Sequence, residues 1–266
     1  PRLPGPADVA CIDGADVMTV SIDQPITIGA VLARRVVSFN VAAELTIAGG
    51  IAGITNPFDL NNNAENPAPL TITSYGALKT ANPLTLPLST TVSGGRLQGA
   101  GSFTVPVGGT LTAVSSPRFL SSLTNDGTIS LSNASLFLGA GLVNNGLITG
   151  NGNISRDGAA TPTLTNTVSG TFAPTVGRGL GVGVSFVNSG TVTIPVGSSV
   201  DLVSVSVVGS GAWGGAGTLY LSGGTLTDPV FAALGSLSIG SSPSALVATN
   251  PLTLPLSTTV SGGRLQ

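Results

Sequence analysis

The sequence predicts an all-β chain folded as a parallel right-handed β-solenoid with coils of about 19–22 residues, and three observations predict it. A short motif recurs at nearly constant spacing. The segments between its copies alternate apolar with polar residues, and each clear copy carries an Asn-x-Gly turn.

The spacing comes first. Leu123-Thr124-Asn125-Asp126-Gly127-Thr128-Ile129 is matched by Leu142-Val143-Asn144-Asn145-Gly146-Leu147-Ile148 and by Phe186-Val187-Asn188-Ser189-Gly190-Thr191-Val192, and a variant with two extra residues runs from Leu164 through Asn166 to Phe172. The starts are separated by 19, 22 and 22 residues, a period that suits stacked coils. A propeller blade needs about twice that length. A sandwich gives no reason for one turn to recur coil after coil.

Strands follow from the local pattern. Phe103 to Val107, Thr191 to Ile194 and Thr218 to Leu221 alternate at period two, are rich in β-branched residues and are bounded by Gly, Asn or Asp. Ile28 to Val37 comes closest to a helical period, but with Arg34 and Arg35 it reads better as a strand with a charged outer edge. Eighteen Pro and 38 Gly argue against long helices.

The turn explains the recurring asparagine. Asn tolerates a left-handed backbone, Gly takes a neighbouring positive φ, and the Asn amide can bond to an Asn one coil away, about 4.8 Å distant. Asn125, Asn144, Asn166 and Asn188 are therefore placed at one corner of successive coils as a structural ladder.

A longer repeat lies over the short one. Residues 82–98 read NPLTLPLSTTVSGGRLQ and residues 250–266 read the same 17 residues again, at an offset of 168. In the first copy the chain runs on through Gly99-Ala100-Gly101-Ser102-Phe103, so Gln266 reads as a cut through a continuing structure. Pro1, with no charged and apolar leader behind it, reads as the start of a mature form or an excised part. The organisation expected is residues 1–54 as N-terminal capping coils that start the solenoid, residues 55–69 as an inserted polar loop, and residues 70–266 as the repeat region.

Composition narrows the function. The net charge is −2, only 8% of residues are charged, and Ser and Thr supply 61 positions. One Lys and eight Arg, scattered, make no basic patch for phosphates or an anionic membrane surface, so no nucleic-acid partner is expected. No run of about 18 apolar residues exists to span a bilayer, and two Tyr and one Trp cannot build the girdles of a transmembrane barrel, so membrane insertion is not expected. With 4% aromatics the core is expected to lack large rings.

Catalytic equipment is scarce. The chain has no His, which removes the usual base or ligand of serine, cysteine and most zinc mechanisms. Asp126, Asp157, Asp201 and Asp228 are far apart in sequence and mostly follow Asn, Arg or Thr in turn-like contexts, unlike the paired carboxylates of a glycosidase. Trp213, Tyr75 and Tyr220 are the whole supply of Trp and Tyr for a carbohydrate groove. No enzymatic activity and no cofactor are expected.

Asp59, Asn61, Asn63 and Glu65 put oxygen side chains at alternate positions, as a calcium loop does. Ala64 stands where such a loop needs Gly, and Leu70 stands where it needs a bidentate carboxylate, so a solvated loop between coils is the preferred reading. Five Thr-x-Thr triplets, beginning at Thr71, Thr110, Thr163, Thr191 and Thr225, are spaced too irregularly for one ranked ice-binding face. Cys11, among Val9, Ala10 and Ile12, reads as a buried, inert thiol. Lys79 is the single lysine that a side-chain crosslink could use.

The fragments GGRLQGAGSFTVPVGGTLTA, LTNDGTISL and LVNNGLITGNGNI resemble the β-strand-repeat segments of bacterial extracellular β-solenoids, the autotransporter passengers and large surface adhesins. The opening from Pro4 to Ile12 is similar to the segment that begins the first coil in such proteins. The resemblance implies an extracellular or cell-surface location and a structural or adhesive role, and it carries no catalytic residue across. The function expected is a structural subunit of an extracellular filament built by end-to-end stacking, with itself as axial partner. The alternative is a module that binds a glycan or a cell surface, displayed on a passive rod.

Overall fold

The computed structural model describes residues 5–49, 58–60, 69–240 and 243–266, without the side chains of residues 13–18 and 33–37. Every regular element among them is a β-strand, and the strands pair in parallel to form β-solenoid turns, about 11 in total. The chain divides into two compact units, residues 1–129 and residues 130–266.

In the first unit, inward residues of successive turns meet in columns. Leu45 faces Leu78, Leu78 faces Leu97, and Leu97 faces Phe119, all buried. Phe103 stands between Leu84 and Leu123, at steps of 19 and 20 residues. Alternation turns the next residue outward: Thr71, Thr91 and Thr112 form a half-buried column beside the buried Ile72, Val92 and Ala113. Two longer steps, Val31 to Phe58 and Phe39 to Leu70, carry the chain past residues 49–69. Within that segment Phe58–Asp59 is itself a strand, paired with Ala30–Val41.

The second unit has three long interior columns. One runs through Leu142, Leu164, Phe186, Val207, Leu226, Leu246 and Leu265. A second runs through Ile148, Phe172, Val192, Trp213 and Phe231. The third runs through Ile154, Val182, Leu202, Leu221, Ile239 and Val260. Each fully buried apolar side chain contributes about 1.5–3 kcal/mol.

These columns correct one expectation. The core does hold large rings: Trp213, Phe39, Phe58, Phe103, Phe119, Phe172 and Phe186 are fully buried. Phe186 is the hub of one cluster, tilted against Phe172 at 5.7 Å and edge-on to Trp213 at 5.8 Å. Rings from adjacent columns stagger past one another, Phe172 and Trp213 in one and Phe186 in the next, so a narrow interior accommodates them.

Cys11 is a second correction, because it is exposed. It lies in the strand Val9–Ile22, where Val9, Ala10 and Ile12 are half-buried and position 11 takes the outward side. Flanking apolar residues do not bury a strand residue whose parity points out.

Candidate functional site

Two constellations of polar side chains stand out, one inside the second unit and one on its surface. The inner one is built from asparagines. Asn144, Asn166 and Asn188 close the strands Leu142–Asn144, Thr163–Asn166 and Ser185–Asn188, and period-two alternation from the buried Leu or Phe two residues earlier points each side chain inward. All three are fully buried and in register.

Asn144 Nδ2 donates to Asn166 Oδ1 at 2.7 Å, and Asn166 Nδ2 donates to Asn188 Oδ1 at 2.8 Å. The same amides reach across the corner to the carbonyls of Thr171 and Thr191, at 3.1 and 3.4 Å. A carbonyl left at a corner in an apolar interior needs such a donor. The ladder stops beyond Asn188, because Gly209 follows Val208 at the place of a further Asn and Asn188 Nδ2 has no hydrogen-bond partner. Asn125, the fourth asparagine, lies in the first unit, fully buried, with Val105 as its strand neighbour in the preceding turn.

The backbone at these corners differs from the left-handed turn expected. None of the four asparagines has a positive φ, and neither do Gly127, Gly170 and Gly190. The glycines are required by closeness: a Cβ on Gly170 would lie 2.3 Å from both Asn144 O and Asn166 Oδ1, and one on Gly190 would lie 2.2 Å from Thr167 O. Successive turns touch backbone to backbone at this corner, so the motif reads Asn-x-Gly for packing.

Two serines missed in the sequence do related work. Ser198 Oγ accepts from Gly177 N at 2.9 Å and donates to Thr175 O at 3.0 Å. Ser244 Oγ accepts from Gly223 N at 2.8 Å and donates to Leu221 O at 3.0 Å. Both are buried and join one turn to the next, and nothing in the local sequence separates them from the other serines.

The outer constellation is a polar groove of about 530 Å³ over the strands Leu147–Arg156, Gly179–Gly183 and Ser199–Val208. Asn153, Gly181 and Asp201 share one outward column, and Tyr220 and Ser238 continue it over the next two turns. Gly179 faces Ser199 in a parallel column. Arg178 stands on the rim, and Asn133 and Asn151 close the far end by pairing, Asn151 Nδ2 donating to Asn133 Oδ1 at 3.3 Å and its Oδ1 accepting from Asn133 N at 3.1 Å. Asp201 is a strand residue, and its Oδ1 accepts from Ser222 Oγ at 2.6 Å.

Of the calcium candidates, Asp59 is half-buried in its short strand, and Asn61, Asn63 and Glu65 lie outside the described residues. Arg34 and Arg35 lie within the strand Ala30–Val41, with side chains outside the description. Lys79 sits 3.6 Å from Glu44, which also accepts from Gln98 Nε2 at 3.0 Å. The Thr-x-Thr triplets of the second unit fall on separate strands, Thr163–Asn166, Thr191–Thr193 and Ala212–Thr227, which do not pair Thr pair over Thr pair.

Comparison with protein-family models, with curated proteins and with solved structures found no match for this chain.

Proposed function

We propose that the chain is a structural segment of an extracellular, bacterial-type filament or surface fibre built by end-to-end stacking of β-solenoid units. One observation carries it. The two identical 17-residue segments form the same pair of strands, Ser89–Ser93 and Arg96–Gln98 in the first and Ser257–Val260 and Arg264–Leu265 in the second, each paired in parallel with the turn before it. On the first of them a further turn is stacked, Thr110–Val114 over Ser89–Ser93 and Arg118–Phe119 over Arg96–Gln98, which buries Val92 and Leu97.

A strand edge with open N–H and C=O groups over apolar side chains is a template for further pairing. The first copy supplies the chemistry of its complement, a neutral turn like the one containing Phe103–Val105 and Thr110–Val114. Sparse charge favours such stacking, since like charges one turn apart would repel. The extracellular setting rests on the resemblance of the repeat segments to surface solenoids. The proposal assigns the chain no catalytic activity, in keeping with its lack of His.

Sedimentation velocity over a wide concentration range, with electron microscopy of the same samples, tests the assembly. Concentration-dependent association into fibres is expected, and Val260→Lys should suppress it without altering the far-ultraviolet circular dichroism. A monodisperse monomer at every concentration overturns the proposal.

A further inference from the structure

We propose that the outer groove of the second unit binds a neutral oligosaccharide. The inference is independent of the filament, because the groove faces outward on the strands and uses no residue of Ser257–Val260 or Arg264–Leu265.

The groove is made by two absent side chains. Gly179 is exposed and Gly181 lies buried beneath the Asn153 side chain, and with no Cβ at either the surface sinks between Asn153 on one side and Ser199 and Asp201 on the other. Gly181 also sets the position of Asn153. A Cβ at residue 181 would lie 2.2 Å from Asn153 Oδ1, so the glycine is what lets that amide lie down over the floor.

Its polar groups are uncommitted. The Asn153 amide, the Ser199 hydroxyl and the Arg178 guanidinium make no hydrogen bond or ion pair with other described residues, and Asp201 has one oxygen on Ser222 and the other available. Planar amide, carboxylate and guanidinium groups present paired donors or acceptors at the spacing of two adjacent hydroxyls. The site therefore offers both halves of what a sugar diol needs.

Charge and shape select the ligand class. One Arg and one Asp cancel, so the groove has no net field to attract a polyanion. The volume falls in the ordinary range for small-ligand sites, about 300–1,000 Å³. Along the column each turn advances by about 4.8 Å, close to the length of one pyranose ring in an extended glycan. Gly181, Asp201 and Tyr220 thus space three successive positions, the last carrying an aromatic ring that is 42% exposed. Such a ring offers an apolar face to the C–H side of a sugar and a hydroxyl at its rim.

A glycan array carrying neutral and acidic oligosaccharides, followed by isothermal titration with the best neutral trisaccharide, tests this. Binding of neutral glycans is expected, weakened at least tenfold by Tyr220→Ser and by Asp201→Ala, with Tyr75→Ser in the first unit as an unaffected control. Circular dichroism identical to the parent chain shows that each variant is folded. Three results would each overturn the proposal: no neutral glycan bound, binding unchanged in both the Asp201 and the Tyr220 variant, or binding confined to acidic glycans and abolished by Arg178→Met, which would make the groove an anion site.

Discussion

Asn144 donates its side-chain amide to Asn166 Oδ1 at 2.7 Å across one turn of the solenoid, with both residues fully buried. The bond joins two turns inside an apolar interior, where an unmade hydrogen bond costs far more than one made in water contributes. Asn166 carries the largest share because it both accepts from Asn144 and donates to Asn188.

Asn166→Ala removes the middle rung and leaves Asn188 Oδ1 without its donor. A loss of about 2–4 kcal/mol is expected from two disrupted buried partners. Urea denaturation followed by circular dichroism measures it, and a midpoint equal to that of the parent chain would show that the ladder contributes nothing.

Gly190→Ala and Gly177→Ala separate two reasons for glycine. At Gly190 the new Cβ would meet Thr167 O at 2.2 Å and Gly170 O at 2.3 Å, both backbone atoms, so the turns must part and a loss of more than about 2 kcal/mol is expected. At Gly177 the Cβ meets nothing within 4 Å, and only its φ of 71° is strained, which costs about 1 kcal/mol. Thermal midpoints of the two variants should fall in that order.

Trp213, the single tryptophan, is 1% exposed and edge-on to Phe186. Its fluorescence should be blue-shifted in the native protein and move to the red on unfolding. Trp213→Ala should cost about 3–5 kcal/mol, and Trp213→Phe less, because the phenyl ring retains part of the contact.

Lys79 and Glu44 form an ion pair with side chains 46% and 39% exposed. Solvent screens a pair of this kind, so Lys79→Met should change stability by less than about 1 kcal/mol. A larger change in the denaturation midpoint would mean that Lys79 has a role beyond this pair.

Cys11 is exposed in the native strand. A thiol reagent such as dithionitrobenzoate should therefore react with one equivalent in the absence of denaturant, at the rate of an accessible thiol. Reaction only after unfolding would contradict its outward placement.

Much of the architecture was legible in the chain because a solenoid repeats its physics. The 19-to-22-residue period around Asn125, Asn144, Asn166 and Asn188, with β-branched alternation between, determined parallel strands stacked turn on turn and named the buried asparagines. Period-two parity was enough to send Leu164 and Asn166 inward and Thr165 toward the surface. Tertiary structure alone decided the rest. Whether a glycine serves a positive φ or a close approach depends on which backbone lies against it, and at Gly190 that backbone is 20 residues or more away in the chain. The rings of Phe172, Phe186 and Trp213 fit because they come from different turns. The groove of Asn153, Gly181 and Asp201, with Tyr220 one turn beyond it in the same column, is assembled from turns whose register no local pattern encodes. Sequence periodicity specifies what repeats along a solenoid, whereas a site on its surface depends on the register between non-identical turns, which packing sets.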